Sequence, residues 1–220
     1  MPYQHVSLHG EPIALPVGKV VCIGQNYHDH IAEMQSKTAP QALFFIKPST
    51  ALCALAPGFS IPQQQGEVHN ELELAVLIAK PLKNADAATV NDAIWGYSLA
   101  LDLTLRELQT QLKQLGRPWE IAKGFDGACP IAGFVEKQHV VAAQQLEFSL
   151  TVNHILRQQG NSANMIRSIT QIISEMSAHF TLLPGDIVLT GTPSGVGPLH
   201  SGDQLQLQLA NLFSVNSKVY

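Results

Sequence analysis

Leu205, Leu207 and Leu209 alternate with Gln204, Gln206 and Gln208, the two-residue period of a strand with one face buried and one in water. The stretch Glu71-Leu72-Glu73-Leu74-Ala75-Val76-Leu77-Ile78 alternates differently. Leu72, Leu74, Val76 and Ile78 share a core face, while Glu71 and Glu73 share the other, about 7 Å apart at strand rise. Apolar runs predict further strands at Val20–Ile23, Leu43–Ile46 (buried), Gly96–Leu103, Phe148–Val152 and Ile187–Thr190. Helical spacing predicts His28 to about Met34 with Asn26 as its cap, residues 86–94, Thr104–Leu115 stopped by Gly116 and Pro118, and Ser168–Phe180. Loops are expected at Gln35–Gln41 and over 57–66, with turns at Pro184-Gly185-Asp186 and Ser201-Gly202-Asp203. Strands come in runs, without strict β-α-β alternation, which predicts a mixed α/β, strand-dominated fold. Residues 1–18 read as a lead-in, loose at its start, and 19–220 as a single domain.

Composition narrows the picture. Of 220 residues, 45% are hydrophobic and 14% charged, which excludes intrinsic disorder. Net charge is −4, with Lys and Arg scattered, so no nucleic-acid partner is expected. No apolar run approaches the ~20 residues that span a bilayer, and the N-terminus shows no signal-peptide pattern, so a cytoplasmic chain without membrane contact is expected. Cys22, Cys53 and Cys129 are odd in number and widely spaced, which predicts buried, reduced thiols.

The unusual feature is charge inside apolar strands. Glu71, Glu73 and Asp102 together form a hard, oxygen-only donor set suited to Mg²⁺, Mn²⁺ or Ca²⁺. The same spacing also fits a solvated sheet face, with Asp102 merely ending its strand. Lys47 closes the strand Leu43–Ile46 and needs a negative partner if buried, which a metal-site carboxylate would supply. Lys123 is the next anomaly. His30 and Glu33 stand three apart, so on a helix the carboxylate orients the imidazole as a general base, or the pair is an incidental surface contact. Gly191-Thr192-Pro193-Ser194-Gly195 lacks the P-loop and serine-elbow patterns. It fits either a tight turn or a loop whose N–H groups and Thr192 hydroxyl bind a carboxylate. Arg106 and Gln109 share a helix face and reach a substrate carboxylate or solvent.

In order along the chain, these residues resemble the fumarylacetoacetate hydrolase family. The likeness is carried by Gly24-Gln25-Asn26-Tyr27 with His30 and Glu33, Phe45-Ile46-Lys47-Pro48, His69-Asn70-Glu71-Leu72-Glu73, Leu101-Asp102-Leu103-Thr104, Ala122-Lys123-Gly124-Phe125, Gln158-Gln159-Gly160 and Leu189-Thr190-Gly191-Thr192-Pro193. The resemblance implies a mixed β-sandwich roll, a homodimer, and Mg²⁺ or Mn²⁺ on Glu71, Glu73 and Asp102. It implies that Lys123 stabilises oxyanion charge, that His30 with Glu33 activates water, and that Gln109 and Thr192 contact the pyruvoyl end of the substrate. Lys47 would orient the metal carboxylates, and Gln25 would bear on substrate choice. His154 departs from the family's Asn-Gly turn.

The activity this implies is hydrolysis of a C–C bond in 3-acylpyruvate-type β-diketo acids. The alternative is keto–enol tautomerisation or decarboxylation of oxaloacetate at the same metal site, and a remote alternative is a non-catalytic metal- or ligand-binding protein.

Overall fold

The computed structural model describes residues 3–36 and 41–220. Residues 37–40 of the predicted loop Gln35–Gln41 lie outside these. The largest sheet orders β2 (Leu43–Lys47), β1 (Val20–Gly24), β12 (Ile187–Leu189), β5 (Leu72–Ile78), β6 (Ile94–Leu101), β8 (Cys129–Ile131) and β3 (Leu52–Ala54), with β9 (Val135–Glu136) beside β6. A second sheet orders β11 (Ile155–Asn161), β10 (Glu147–Val152), β14 (Gln204–Leu209) and β15 (Phe213–Lys218). A small third sheet joins β13 (Gly197–Leu199), β4 (Val68–Asn70) and β7 (Thr104–Leu105). The helices are α1 (His28–Glu33), α2 (Ala87–Ala93), α3 (Arg106–Gln114), α4 (Glu120–Lys123) and α5 (Ile169–His179). The fold is the strand-dominated mixed α/β arrangement that the sequence predicts.

The alternation in β5 works as expected on one face and differently on the other. Leu72, Leu74, Val76 and Ile78 join the main core, with Phe148, Leu150, Leu205 and Leu207 of the second sheet. The opposite face is buried too. Ala75 and Leu77 belong to a second core with Val20, Cys22, Ala100, Phe134, Ile187 and Leu189. Glu71 and Glu73 extend that second face, so the solvated-face reading of the carboxylates is excluded.

The lead-in helps to close this second core. Ile13 is buried in it, with Tyr3, Leu15 and Val17 packed alongside. Fully buried His5 places its Nε2 3.0 Å from the Gly185 carbonyl and meets Phe134 edge-on. The described part of the lead-in is therefore docked, not loose. Tertiary packing decides this, and no local pattern announces it.

Three further differences have local causes. The predicted helix at Thr104 begins at Arg106, because Thr104 and Leu105 pair with His69 and Val68 as β7. β2 is an edge strand and mostly half-exposed, with only Lys47 buried. Asn26 does not cap α1. Its Nδ2 donates to the Arg167 and Thr190 carbonyls at 3.0 Å each, and its Oδ1 accepts from Arg167 N–H at 2.8 Å. At the β10–β11 turn Asn153 (φ 50°) and His154 (φ 66°) are both left-handed, a conformation that costs His154 on the order of 1 kcal/mol.

All three cysteines are free thiols. Burial pushes Cys22 and Cys129 well up, and Cys53 up to about 11, which disfavours thiolate chemistry.

Candidate active site

Strand register assembles the acidic residues. β5 and β6 run antiparallel with Leu72 opposite Leu101 and Glu73 opposite Ala100. One residue beyond this pairing, Asp102 N–H donates to the Glu71 carbonyl at 2.8 Å. Glu71, Glu73 and Asp102 therefore stand on one face, where the small residues Ala75 and Ala100 of the second core give way to carboxylates. One oxygen of each lies within 4.8 Å of the others, and all three side chains are buried.

Three buried negative charges need compensation. Lys123 Nζ donates to Glu71 Oε2 at 2.8 Å and to Asp102 Oδ2 at 2.7 Å. Lys47, fully buried, has its ammonium 2.7 Å from Asp102 Oδ1 and donates to the carbonyls of Leu103, Lys123 and Ala128. Arg106 Nη2 is paired with Glu71 Oε1, and its Nη1 donates to Gln109 Oε1 at 2.8 Å. The pairing expected of Lys47 is thus present. Arg106 is turned onto a carboxylate of the protein, and Gln109 is buried against it.

Burial pushes the Glu71 carboxyl up, but Lys123 and Arg106 outweigh it and hold Glu71 below the ordinary carboxylate range. Burial disfavours the Lys123 ammonium, yet Asp102 and Glu71 hold its proton above the usual lysine range. Glu73 goes the other way. Burial, then Asp102 and Glu71, push its carboxyl well up. Glu73 forms no ion pair among the described residues; its Oε2 accepts from Gly191 N–H at 2.5 Å. Three converging carboxylates, one of them without a cation of its own, fit a divalent metal ion held by oxygen ligands.

The Gly191–Gly195 loop binds carboxylates, as one of its two readings expects, but those it binds belong to the protein. Gly191 N–H holds Glu73, and Gly195 N–H donates to Glu33 Oε1 at 2.9 Å. The other Glu33 oxygen, Oε2, accepts from His30 Nδ1 at 3.1 Å. An ionised carboxylate only accepts, so a neutral His30 ring paired with it holds its proton on Nδ1 and offers the Nε2 lone pair. His30 is buried and its Nε2 makes no hydrogen bond to the described residues, so the incidental-surface reading of the pair is excluded.

A cleft of about 730 Å³ opens over the triad. His30, Glu71, Glu73, Asp102, Lys123, Arg106, Gln109, Thr192 and Gln25 all line it, while exposed Glu33 and fully buried Lys47 do not. Gln25 Nε2 reaches Ser36 Oγ at 3.5 Å.

Two residues that hold the site together had no role expected in the site. Gln158 Oε1 accepts from Asn70 Nδ2 and Leu72 N–H, and its Nε2 donates to Thr192 Oγ1, each at 2.8 Å. It thus ties the carboxylate strand to the Thr192 loop. The only signal for Gln158 is its place in the family-like segment Gln158-Gln159-Gly160. Asn26 joins the β1–α1 loop to residues 167 and 190, and its place just before a helix mimics a cap.

No helix among the described residues is long and apolar enough to cross a membrane. Residues 19–220 match the family described as fumarylacetoacetate (FAA) hydrolase C-terminal. The chain is 50% identical to the oxaloacetate tautomerase YcgM of Escherichia coli over 92% of its own length and 93% of that protein. A Yersinia pestis protein assigned to the fumarylacetoacetate hydrolase family superposes with a TM-score of 0.97 at 53% identity, covering 99% of this chain and all of the other. The fumarylpyruvate hydrolase of Pseudomonas aeruginosa, solved with Mn²⁺ and pyruvate, superposes at 0.92 with 33% identity, covering 99% and 95%. Sequence, fold and the ordered carboxylate, lysine and histidine positions agree that this chain is a member of the fumarylacetoacetate hydrolase family.

Proposed function

We propose that the protein is a divalent-metal-dependent keto–enol tautomerase of oxaloacetate, the reading that stood second to acylpyruvate hydrolysis on sequence alone. The observation that carries it is the caged triad of Glu71, Glu73 and Asp102 beside an oriented His30. A divalent ion on those three carboxylates, Mg²⁺ or Mn²⁺, supplies Lewis-acid polarisation of a bound 2-oxo acid and so acidifies its C3. Formal charges sharpen the choice of substrate. Three carboxylates balance Lys47, Lys123 and Arg106, so a bound ion would leave net positive charge for an anionic substrate.

The chain's residues then have distinct tasks. His30 Nε2 takes a proton from C3 of the keto form, or returns one to C3 of the enol. Glu33 holds the His30 ring in place as the proton arrives. Lys123 places positive charge beside the oxygen that becomes negative. Gln109 and Thr192 fix the 2-oxo acid end, and Gln25 bears on substrate choice. Tautomerisation needs no attacking water. The name of the Escherichia coli relative favours this chemistry over hydrolysis, while that of the Pseudomonas protein keeps acylpyruvate hydrolysis as the second reading. The reading brings with it a homodimer in the cytoplasm, whose mass light scattering reports.

The deciding experiment follows the ultraviolet band of enol-oxaloacetate as it relaxes to the keto form, with Mn²⁺ or Mg²⁺ and with chelator. Metal-dependent acceleration is expected. His30→Ala should slow it by about 10²-fold to about 10⁴-fold, and Glu33→Gln by less. Pyruvate release from acetylpyruvate, with oxaloacetate relaxing only at its background rate, would replace the tautomerase by the hydrolase.

A further inference from the structure

Arg106, Gln109 and Lys113 stand three and four residues apart on α3, on one face, and all line the cleft. Arg106 reaches the triad through Glu71, and Gln109 bonds Arg106. Lys113 lies one turn further out, about 6 Å along the helix axis from Gln109. Its ammonium sits 5.6 Å from the centroid of the Trp119 ring. Trp119 in turn packs against Phe45, with ring centroids 5.9 Å apart, so the platform is itself held in place.

Among the described residues, four cationic side chains line the cleft: Arg106, Lys113, Lys123 and Arg167. Glu71 and Asp102 hold Lys123, Glu71 holds Arg106, and Glu175 holds Arg167 at 3.1 Å. Among the described residues Lys113 has no carboxylate partner. It is a cation placed on the cleft wall by an aromatic face and not consumed by an internal ion pair.

We propose that Lys113 is a specificity-determining residue that binds the distal carboxylate of the substrate. The cleft then selects 2-oxo acids ending in a second carboxylate over those ending in an apolar group. The inference rests on the 2-oxo acid reading above, which seats the other end of the substrate at the triad and leaves the far end toward the outer turn of α3. A carboxylate there gains a charge-assisted hydrogen bond, while an apolar end gains nothing from the ammonium.

The test uses two probes that do not react, malate and lactate. Both offer a carboxylate and an adjacent hydroxyl to the metal end, and only malate has a second carboxylate. Titration calorimetry of the Mn²⁺-loaded protein should show Lys113→Met weakening malate about 10-fold while leaving lactate unchanged. Lys113→Arg should restore malate. In turnover, Lys113→Met should raise KM for oxaloacetate by a similar factor at unchanged kcat. Equal loss for malate and lactate, or no loss for either, overturns the proposal. If the wild-type protein is inert toward oxaloacetate, the tautomerase reading falls, and the malate–lactate comparison still decides what Lys113 does.

Discussion

β14 and β5 carry nearly the same alternation and use it in opposite ways. In β14 the glutamines face water and the leucines the core, so each polar side chain is solvated where it stands. In β5 every residue is buried; Glu73 meets a backbone N–H instead of solvent, and Glu71 just before the strand meets a lysine and an arginine. Alternation therefore tells which residues share a face but not what that face meets. The difference shows up as sensitivity. A glutamine in water can be lost cheaply, whereas a carboxylate in a buried charge cage cannot.

The largest expected effect breaks the cage. Asp102→Ala strands the Lys47 ammonium without its carboxylate and should cost about 3 to 5 kcal/mol in denaturant unfolding, whereas Gln206→Ala on β14 should stay within about 0.5 kcal/mol. Adding Lys47→Met to Asp102→Ala should recover part of that loss, since the double mutant no longer buries the Lys47 ammonium, and a double-mutant cycle measures the coupling. Equal costs at Asp102 and Gln206 would erase the contrast between the buried charge cage and the solvated face of β14. A smaller effect concerns Glu73, the carboxylate with no cation of its own. Glu73→Gln removes a buried carboxyl whose charged form burial and the neighbouring Asp102 and Glu71 disfavour, and should stabilise the metal-free protein by about 1 kcal/mol. Mn²⁺ should raise the Tm of the wild-type protein, and the same change should remove that rise, read by thermal melts with and without the ion.

The smallest effect tests the cover over the second face of β5. His5 is buried with Nε2 on the Gly185 carbonyl and Nδ1 3.2 Å from the Tyr3 hydroxyl, and burial pulls its pKa below the ordinary 6.5. The unfolded chain therefore binds the proton more readily. Stability contributed by neutral His5 is complete above the unfolded value and declines as pH falls from there through the folded one. Melts from about pH 7.5 to about pH 5 should show this decline, and His5→Gln should flatten it. An unchanged slope would mean that the arm is not held by a neutral imidazole.

Much of this molecule was legible in its sequence, because strand periodicity is a local signal. The strands around Val21, Val76, Leu99, Leu150, Val188 and Leu207, and the helix after Ser168, lie within a few residues of where pattern places them. The Ser168 side chain accepts from Gln171 N–H, as a capping residue should. Glu71, Glu73 and Asp102 stood out as charge within apolar runs, and register brings them together. What stayed hidden depends on partners distant in the chain. Gln158 resembles any strand glutamine until Asn70 and Thr192 are placed beside it. Asn26 matches a helix cap until Arg167 and Thr190 claim its amide. The docking of residues 3–18 depends on an apolar face that exists only once the large sheet has formed. Lys113 gave no signal, since its interest lies in the pairing of the other cationic side chains around it.

The contacts around Glu73 also have an order in time. Glu73 meets Asp102 across a strand pair closed within about thirty residues, but the N–H that holds it comes from Gly191, more than a hundred residues later. Closing the longer loop costs somewhat more entropy, which predicts that the carboxylates gather before the backbone that restrains Glu73 and Glu33 arrives. Catalytic competence is then among the last properties the chain acquires. Activity in a refolding experiment should lag behind secondary structure, and its recovery reports that the whole chain has closed.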